Sequence, residues 1–278
     1  MNKKKSNLTT FCISHEYIKY LDSLDLNIIG SAGYKNKYPR SWYKDNIGNK
    51  HISLKNKNYG TLTSIYWLWK NQSSKLDANN YIGICHYRRF WLKKKYDKNI
   101  KLNNLNKNIL KEVPKSYSDI EAFVCKPINL KNYKFSKLIK KAKSDILKDP
   151  TILFNKNKHT INLHFNMFHV KNGLVDSIKL LNKKDRLDFL NYVKTQTNFF
   201  PLSIFIMKVK FFNKLCLDTF TWLKRCEKLF DRKKLSSYGE LRIFDFLAER
   251  YFSFWISKYC KNKIWPYLLI ETRKKQKI

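Results

Sequence analysis

Apolar and polar positions along the chain follow two periods. Short runs with strand character come first. "NLTTFCIS" predicts a strand, "LNIIGSAG" a second, and the Tyr81–Cys85 part of "NNYIGICHYRRFW" a third. "EYIKYLDSLD" predicts a short helix between the first two. Ahead of the third strand, "TLTSIYWLWKN" places Leu62, Ile65, Tyr66 and Trp69 at i, i+3, i+4 and i+7, one face of a helix. Strand, helix, strand in this order predicts an α/β sheet with parallel pairing.

Farther along, "YDKNIKLNNLNKNILKEVPKSY" is a polar excursion, and "DIEAFVCKPI" predicts another strand. "FSKLIKKAKSDILKD" predicts one amphipathic basic helix stopped by Pro150. "TINLHFNMFHVKNGLVDSIKLL" reads as loop and helix, and "LDFLNYVKTQ" as helix. "NFFPLSIFIMKVKFF" predicts one strongly apolar strand running into the helix "NKLCLDTFTWLKRCEKLFD". The last long element, "GELRIFDFLAERYFSFWISKY", carries a core stripe of Phe244, Leu247, Ala248, Tyr251 and Trp255. With no repeat and no linker, the expectation is a single domain over residues 1–278. Its core would span about 8–260, with a helical C-terminal part and a basic tail over 261–278.

Charge changes this picture more than length does. The 278 residues hold 57 Lys+Arg against 21 Asp+Glu, a formal charge of +36, which favours anionic partners. Many lysines sit beside asparagines ("KNKNYG", "LNNLNKNILK"), a vocabulary that compositional drift on solvated faces also produces. The six cysteines form no C-x-x-C pair, so buried thiols in a reducing compartment are expected. The basic start lacks a long apolar region, and no stretch reaches the ~18 apolar residues of a membrane span. The expectation is a cytoplasmic protein, peripheral on the inner face of the cell membrane.

Candidate chemistry gathers in three places. His86, Tyr87, Arg88 and Arg89 follow an apolar strand with no turn residue between. Ligands of open α/β sheets bind outside the carboxyl ends of strands, and the planar fork of arginine suits phosphate oxygens. Alternation would put His86 and Arg88 on one side and Tyr87 and Arg89 on the other. Pairing of these arginines with structural carboxylates at a sheet edge is the other reading. Second, the loop "KDNIGNKHISLKNKNYG" offers Asp45, Asn46, Ser53, Asn56 and Asn58 ahead of a helix N-terminus, which can hold an anion; Asn58 could equally cap that helix. Third, Arg242, Asp245 and Glu249 fall at i, i+3 and i+7 opposite the core stripe, beside Arg250. A carboxylate among arginines suits a general base or a sugar-hydroxyl anchor; an intrahelical salt-bridge row is the alternative.

Other chemistries lack their motifs. His159, His164 and His169 do not have the spacing of a zinc helix, and His164 and His169, five apart, would diverge on a helix. There is no P-loop, G-x-G-x-x-G or G-x-S-x-G, and no D-x-D pair of the kind that holds a divalent metal.

Several blocks together resemble the domain-of-unknown-function 4422 family, found among bacterial capsule and lipopolysaccharide biosynthesis proteins. They are "DNIGNKHISLKNKNYGTLTSIYWLWKN" with "YIGICHYRRFW", then "FFPLSIFIMKVKFF" and "LRIFDFLAERYFSFW"; His169 sits where the family tends to carry a histidine. The sequence departs from the family pattern at His51 for Asn, Thr61 for Glu, Ser203 and Ile204 for Asn-Met, and Asp245 for Gly. The resemblance implies a GT-A-like α/β fold and a glycosyltransferase using a nucleotide diphosphate sugar, UDP-galactofuranose or a related donor among them. In such a fold the arginine-rich strand end would occupy the place of the metal-binding D-x-D. Arginines would then neutralise the departing diphosphate, with Mn²⁺ or Mg²⁺ still an open possibility.

The resulting expectation is a sugar transferase of surface-polysaccharide assembly. Asp45, Asn46, Ser53, Asn56, His86, Arg88 and Arg89 would bind the nucleotide sugar. Glu249 is the first candidate for general base and Asp245 the second. His169, Ser203, Arg242 and Arg250 would contact acceptor or sugar. The partners would be a nucleotide sugar donor, a lipid-linked or oligosaccharide acceptor, and an anionic membrane surface touched by the basic, aromatic exterior, "RKKQKI" included. Two rival readings are a basic nucleic-acid-binding protein, with no recognised motif and no specific nucleic acid expected, and an inactive scaffold of polysaccharide assembly.

Overall fold

Short, β-rich apolar runs assemble first into a central mixed sheet. The computed structural model describes residues 6–93, 100–231 and 234–270. Strand β1 (Leu8–Ser14) lies parallel to both β2 (Asn27–Gly30) and β4 (Tyr81–His86), and β2 is parallel to the short β3 (Tyr43–Lys44). β5 (Arg89–Trp91) folds back antiparallel on the end of β4. β6 (Ala122–Val124) joins on the far side, beyond β9 (Phe205–Lys208), which runs antiparallel to both β4 and β6. A separate ribbon pairs β7 (Ile128–Asn129) with β8 (Asn198–Phe199). β10 (Asn262–Ile264) adds parallel to β6, and β11 (Tyr267–Leu269) antiparallel to β5. The strands of "NLTTFCIS", "LNIIGSAG" and "YIGIC" therefore pair in parallel as expected.

Period-two alternation divides the core. Phe11, Ile13, Ile82 and Ile84 face the helical side, where Leu62–Asn71, Val209–Cys226 and Ile243–Tyr259 pack. Leu8, Cys12, Tyr81 and Cys85 face the other side, covered by the Leu105–Val113 part of the polar excursion, by β5 and by Trp265. The predicted stripe Phe244, Leu247, Ala248, Tyr251 and Trp255 is buried, as are all six cysteines, which are unpaired.

Three expected elements and the expected core boundary are revised. "NFFPLSIFIMKVKFF" is two strands, not one: the chain turns at Pro201–Ser203, with Leu202 and Ser203 at positive φ of 80° and 51°. Proline has no N–H for the ladder, and the turn is fixed from outside the sheet by Glu249. "FSKLIKKAKSDILKD" breaks into Phe135–Lys141 and Lys143–Lys148 at buried Ala142, so both pieces turn onto a small core of Leu138, Ala142, Ile152, Leu163 and Met167. The last helix is preceded by a separate turn, Tyr238–Leu241, started by a capping box between Ser237 and Glu240. The packed part also runs beyond 260, because Asn262–Ile264 and Tyr267–Leu269 join the sheet; residues 271–278, which hold "RKKQKI", lie outside the described residues, as do 1–5 and 94–99. Among the described residues no helix is long and apolar enough to cross a membrane.

Candidate active site

The arginines do not run straight off their strand. β4 ends at His86, the chain reverses at Tyr87 and Arg88, and Arg89 pairs back with His86. Sequence shows no turn residue there because the reversal is held by neighbours. Tyr87 N donates to Ile13 O at 3.1 Å, and Ile270 N donates to Arg88 O at 2.8 Å. Tyr20 Oη donates to Tyr87 O, and buried Trp91 Nε1 donates to Ile84 O at 2.9 Å. The expected alternation to two sides is thereby replaced: all four residues line one cavity of about 310 Å³.

That cavity sits where β1 and β4 end and β9 begins. β1 delivers His15, the turn before β9 delivers Leu202 and Ser203, and the last helix delivers Asp245, Phe246 and Glu249, with Arg242 just ahead of it. Thr61 and Tyr238 complete the wall. Buried His86 Nε2, Arg88 Nε and Arg89 Nε have no protein partner among the described residues. Neither arginine forms an ion pair there, so the edge-carboxylate reading has no counterpart. Unsatisfied buried donors are costly, about 1–3 kcal/mol each, and an anion's oxygens would relieve that cost.

The histidines of this wall are neutral. Burial, then the charges of His15, Arg89 and Arg88, hold His86 at about 3. Burial, then Arg242, holds His15 at about 4. The permanent cations are the arginines. Opposite them Asp245 is pushed up to about 7, chiefly by burial, against the lowering pull of Arg242 and with a further rise from Glu249. Thr61 Oγ1 donates to Asp245 Oδ1 at 3.1 Å, and Arg242 Nη1 lies 3.9 Å from Oδ2. Thr61 and Asp245 thus touch across the cavity wall.

Glu249 is engaged at both oxygens. Oε1 accepts from Leu202 N at 2.5 Å, and Oε2 is bonded by Arg250 Nη1. Arg250 is 1% exposed and lies behind the wall, not in it. Its Nη2 meets His164 Nδ1 at 2.9 Å and His169 Nε2 at 3.4 Å, and its guanidinium stacks 4.4 Å from the Phe199 ring centroid. Burial, then Arg250, holds His164 at about 2 and His169 at about 3, so both rings accept from the guanidinium. The expected divergence of the two histidines is corrected here. His169 follows the helix Ile161–Phe168 in extended backbone, which swings its ring back to Arg250. His169 and Arg250, expected at the acceptor, are the support of Glu249.

The polar loop also sits behind the wall. Asp45, fully buried, accepts from Ala32 N at 3.0 Å, Gly33 N at 2.8 Å and Thr63 Oγ1 at 2.5 Å, fixing the end of β2. Asn56 donates to Ser31 Oγ at 3.0 Å and Gly60 O at 2.9 Å. It also borders a second cavity of about 450 Å³ that shares His15, Tyr238 and Arg242 with the first. Ser53 is buried beside His51, Asn46 Oδ1 is buried without a partner among the described residues, and Asn58 donates to Leu241 O at 2.8 Å where a cap was the alternative. Of the expected site residues, His86, Arg88, Arg89, Ser203, Arg242, Asp245 and Glu249 meet in the first cavity. Sequence reasoning missed His15 and Tyr238. His15 follows β1 as His86 ends β4, so the strand-end rule could have found it. Among the described residues no three His, Cys, Asp or Glu side chains are grouped to hold a metal ion.

A model of the protein family described as domain of unknown function (DUF4422) matches residues 10–262. A solved structure, "WbbM bifunctional glycosyltransferase apo structure", superimposes with a TM-score of 0.61 at 16% sequence identity. The match covers 96% of this chain and 46% of that one, so the chain spans about half the length of that protein. At this identity the likeness establishes a shared α/β fold. No curated protein matches.

Proposed function

This chain belongs to the DUF4422 family, and on that premise and the glycosyltransferase fold we propose that it transfers a sugar from a nucleotide diphosphate sugar to a polysaccharide acceptor. One observation carries the reading: Arg88 and Arg89, free of ion pairs among the described residues, face Asp245 and Glu249 across one cavity at the strand ends. Two cations facing a near-neutral acid suit a reaction with an anionic leaving group and a hydroxyl nucleophile.

In this mechanism the diphosphate lies on the hairpin, its oxygens taken by Arg88, Arg89 and the neutral His86. The nucleoside extends into the second cavity, beside Asn56 and Tyr34. Asp245 takes the proton of the acceptor hydroxyl, because an acid poised at about 7 is half ionised at neutral pH. Glu249 ranks below it as base, since its oxygens are committed to Leu202 and Arg250. Ser203 lines the sugar's place between the hairpin and the last helix, and Arg242 bridges both cavities. UDP-galactofuranose or a related sugar is the proposed donor, and a lipid-linked or oligosaccharide chain of capsule or lipopolysaccharide the acceptor. If a divalent metal takes part, Asp245 is the side chain of this cavity that would hold it, and the ion would supply further neutralisation of the leaving diphosphate's charge.

The test is thermal shift with UDP, GDP, CMP and their sugars, with and without Mn²⁺, on wild type and Arg88→Ala. The expected result is stabilisation of wild type by one nucleotide diphosphate and at least tenfold weaker binding to the variant. No response of folded wild type to any of these ligands would overturn the transferase reading in favour of a scaffold.

A further inference from the structure

The segment between the β7 ribbon and the helix Ile161–Phe168 forms a small subdomain that exposes several large apolar side chains. Its short helices Phe135–Lys141 and Lys143–Lys148, and the turn Pro150–Leu153, stand on their own small core. Around that core large apolar side chains point into solvent: Phe154 is 81% exposed, Leu147 75%, Phe135 53% and Ile139 47%. Phe135 and Ile139, one turn apart, share a helix face. Single exposed apolar residues need no explanation; here four stand on one small subdomain, two of them on one helix face.

Lysines are interspersed with them along the chain. Lys134, Lys137, Lys140, Lys141, Lys143, Lys148, Lys156 and Lys158 stand in this stretch, against only Asp145 and Asp149, and it contains no arginine. Asp149 is already paired with Lys158 at 2.5 Å. Protein interfaces enrich arginine and deplete lysine at their centres. Lysine stems instead lie along an apolar layer while the ammonium reaches headgroup phosphates.

We infer that residues 134–158 dock on an anionic lipid surface, with Phe135, Ile139, Leu147 and Phe154 entering the headgroup boundary and the lysines binding lipid phosphates. The same subdomain contributes Leu163 and Met167 of the helix Ile161–Phe168, whose His164 supports Arg250 behind Glu249. Docking would therefore hold the catalytic cavity near a lipid-linked acceptor. That purpose rests on the transferase reading, whereas lipid binding is measured without donor, so the two fail separately.

The experiment is co-sedimentation with vesicles of phosphatidylcholine alone or with about a third phosphatidylglycerol, at about 0.15 M salt where surface charge is screened beyond roughly 8 Å. Wild type is expected to favour the anionic vesicles at least tenfold. Leu147→Ser with Phe154→Ser keeps every charge and alters only exposed side chains. It should lower that binding at least fivefold, with unchanged melting temperature. A Phe154→Trp probe should shift its emission to the blue on the same vesicles. Equal binding by the double variant would leave the overall +36 charge as the cause and overturn the inference. So would wild type that does not distinguish the vesicles, or a probe whose emission stays unshifted.

Discussion

A carboxyl group at position 245 is worth most to this site because it is largely buried and its nearest cation, Arg242, stands 3.9 Å away. Its proton affinity is raised, so between the ordinary carboxylate range and about pH 7 the folded chain binds more protons there than the unfolded chain. The sign follows: this contribution to stability is greatest in acid and is lost as pH rises towards 7. Asp245→Asn should flatten that part of the stability–pH curve, measured by urea denaturation from pH 4 to 8. If Asp245 is the base, the same variant should lower turnover by about 10²–10⁴-fold and remove the ascending limb of the pH–rate profile. A variant that keeps the limb would move the role to Glu249. Arg250 makes a different prediction. It is a buried cation bonded to Glu249, to Phe246 O and to two neutral rings, so Arg250→Met leaves a carboxylate unmatched. The expected cost is about 3–5 kcal/mol by denaturant titration. Adding Glu249→Gln to that variant should recover part of it, since the unmatched charge is then gone.

Elements bring these residues together, and the joint with least room is the turn before the helix Leu62–Asn71. Gly60 has φ of +53°, and a Cβ there would lie 2.2 Å from Asp245 Oδ2 and 2.3 Å from Arg242 Nη1. Gly60→Ala should therefore cost about 1–3 kcal/mol in backbone strain and displace the carboxylate as well. Its melting temperature should fall together with nucleotide binding, whereas Arg88→Ala should lose binding with its fold intact. Sequence periodicity located most of these elements, because strand alternation and the stripe on the last helix reflect burial directly. It failed where a distant residue decides a local shape. Tyr87–Arg88 turns because Ile270 and Ile13 hold the backbone, and Pro201–Ser203 turns because Glu249 holds Leu202. The site was legible in the same measure. Strand-end arginines and the i, i+3, i+7 row could be read directly, while Asp45, Ser53, Arg250 and His169 have the right chemistry but lie one layer back. Nothing in a single sequence separates a group that touches ligand from one that braces it.

Across the whole molecule, the cavity's cations belong to a chain of formal charge +36, and the two effects must be separated by salt. Like charges spread over one fold repel, so the folded state is strained electrostatically at low ionic strength and relieved as salt is added. Melting temperature should therefore rise between about 0.02 and 0.5 M sodium chloride, with Arg88→Ala rising in parallel, because one charge among so many hardly alters the sum. Binding should respond the other way. Screening weakens the long-range attraction of any polyanion, so DNA or heparin should be released severalfold or more over this range. A nucleotide diphosphate held by short contacts with Arg88 and Arg89 in a partly enclosed cavity is screened much less, and its affinity should fall only a fewfold. Isothermal titration at both salt concentrations checks this directly. Nucleotide affinity that collapses in step with DNA affinity would mean that the surface charge, not the hairpin, gathers anions, and would favour the nucleic-acid-binding reading. Affinity that outlasts the salt in wild type and is missing in Arg88→Ala at both concentrations would assign the anion site to the two arginines at the end of β4.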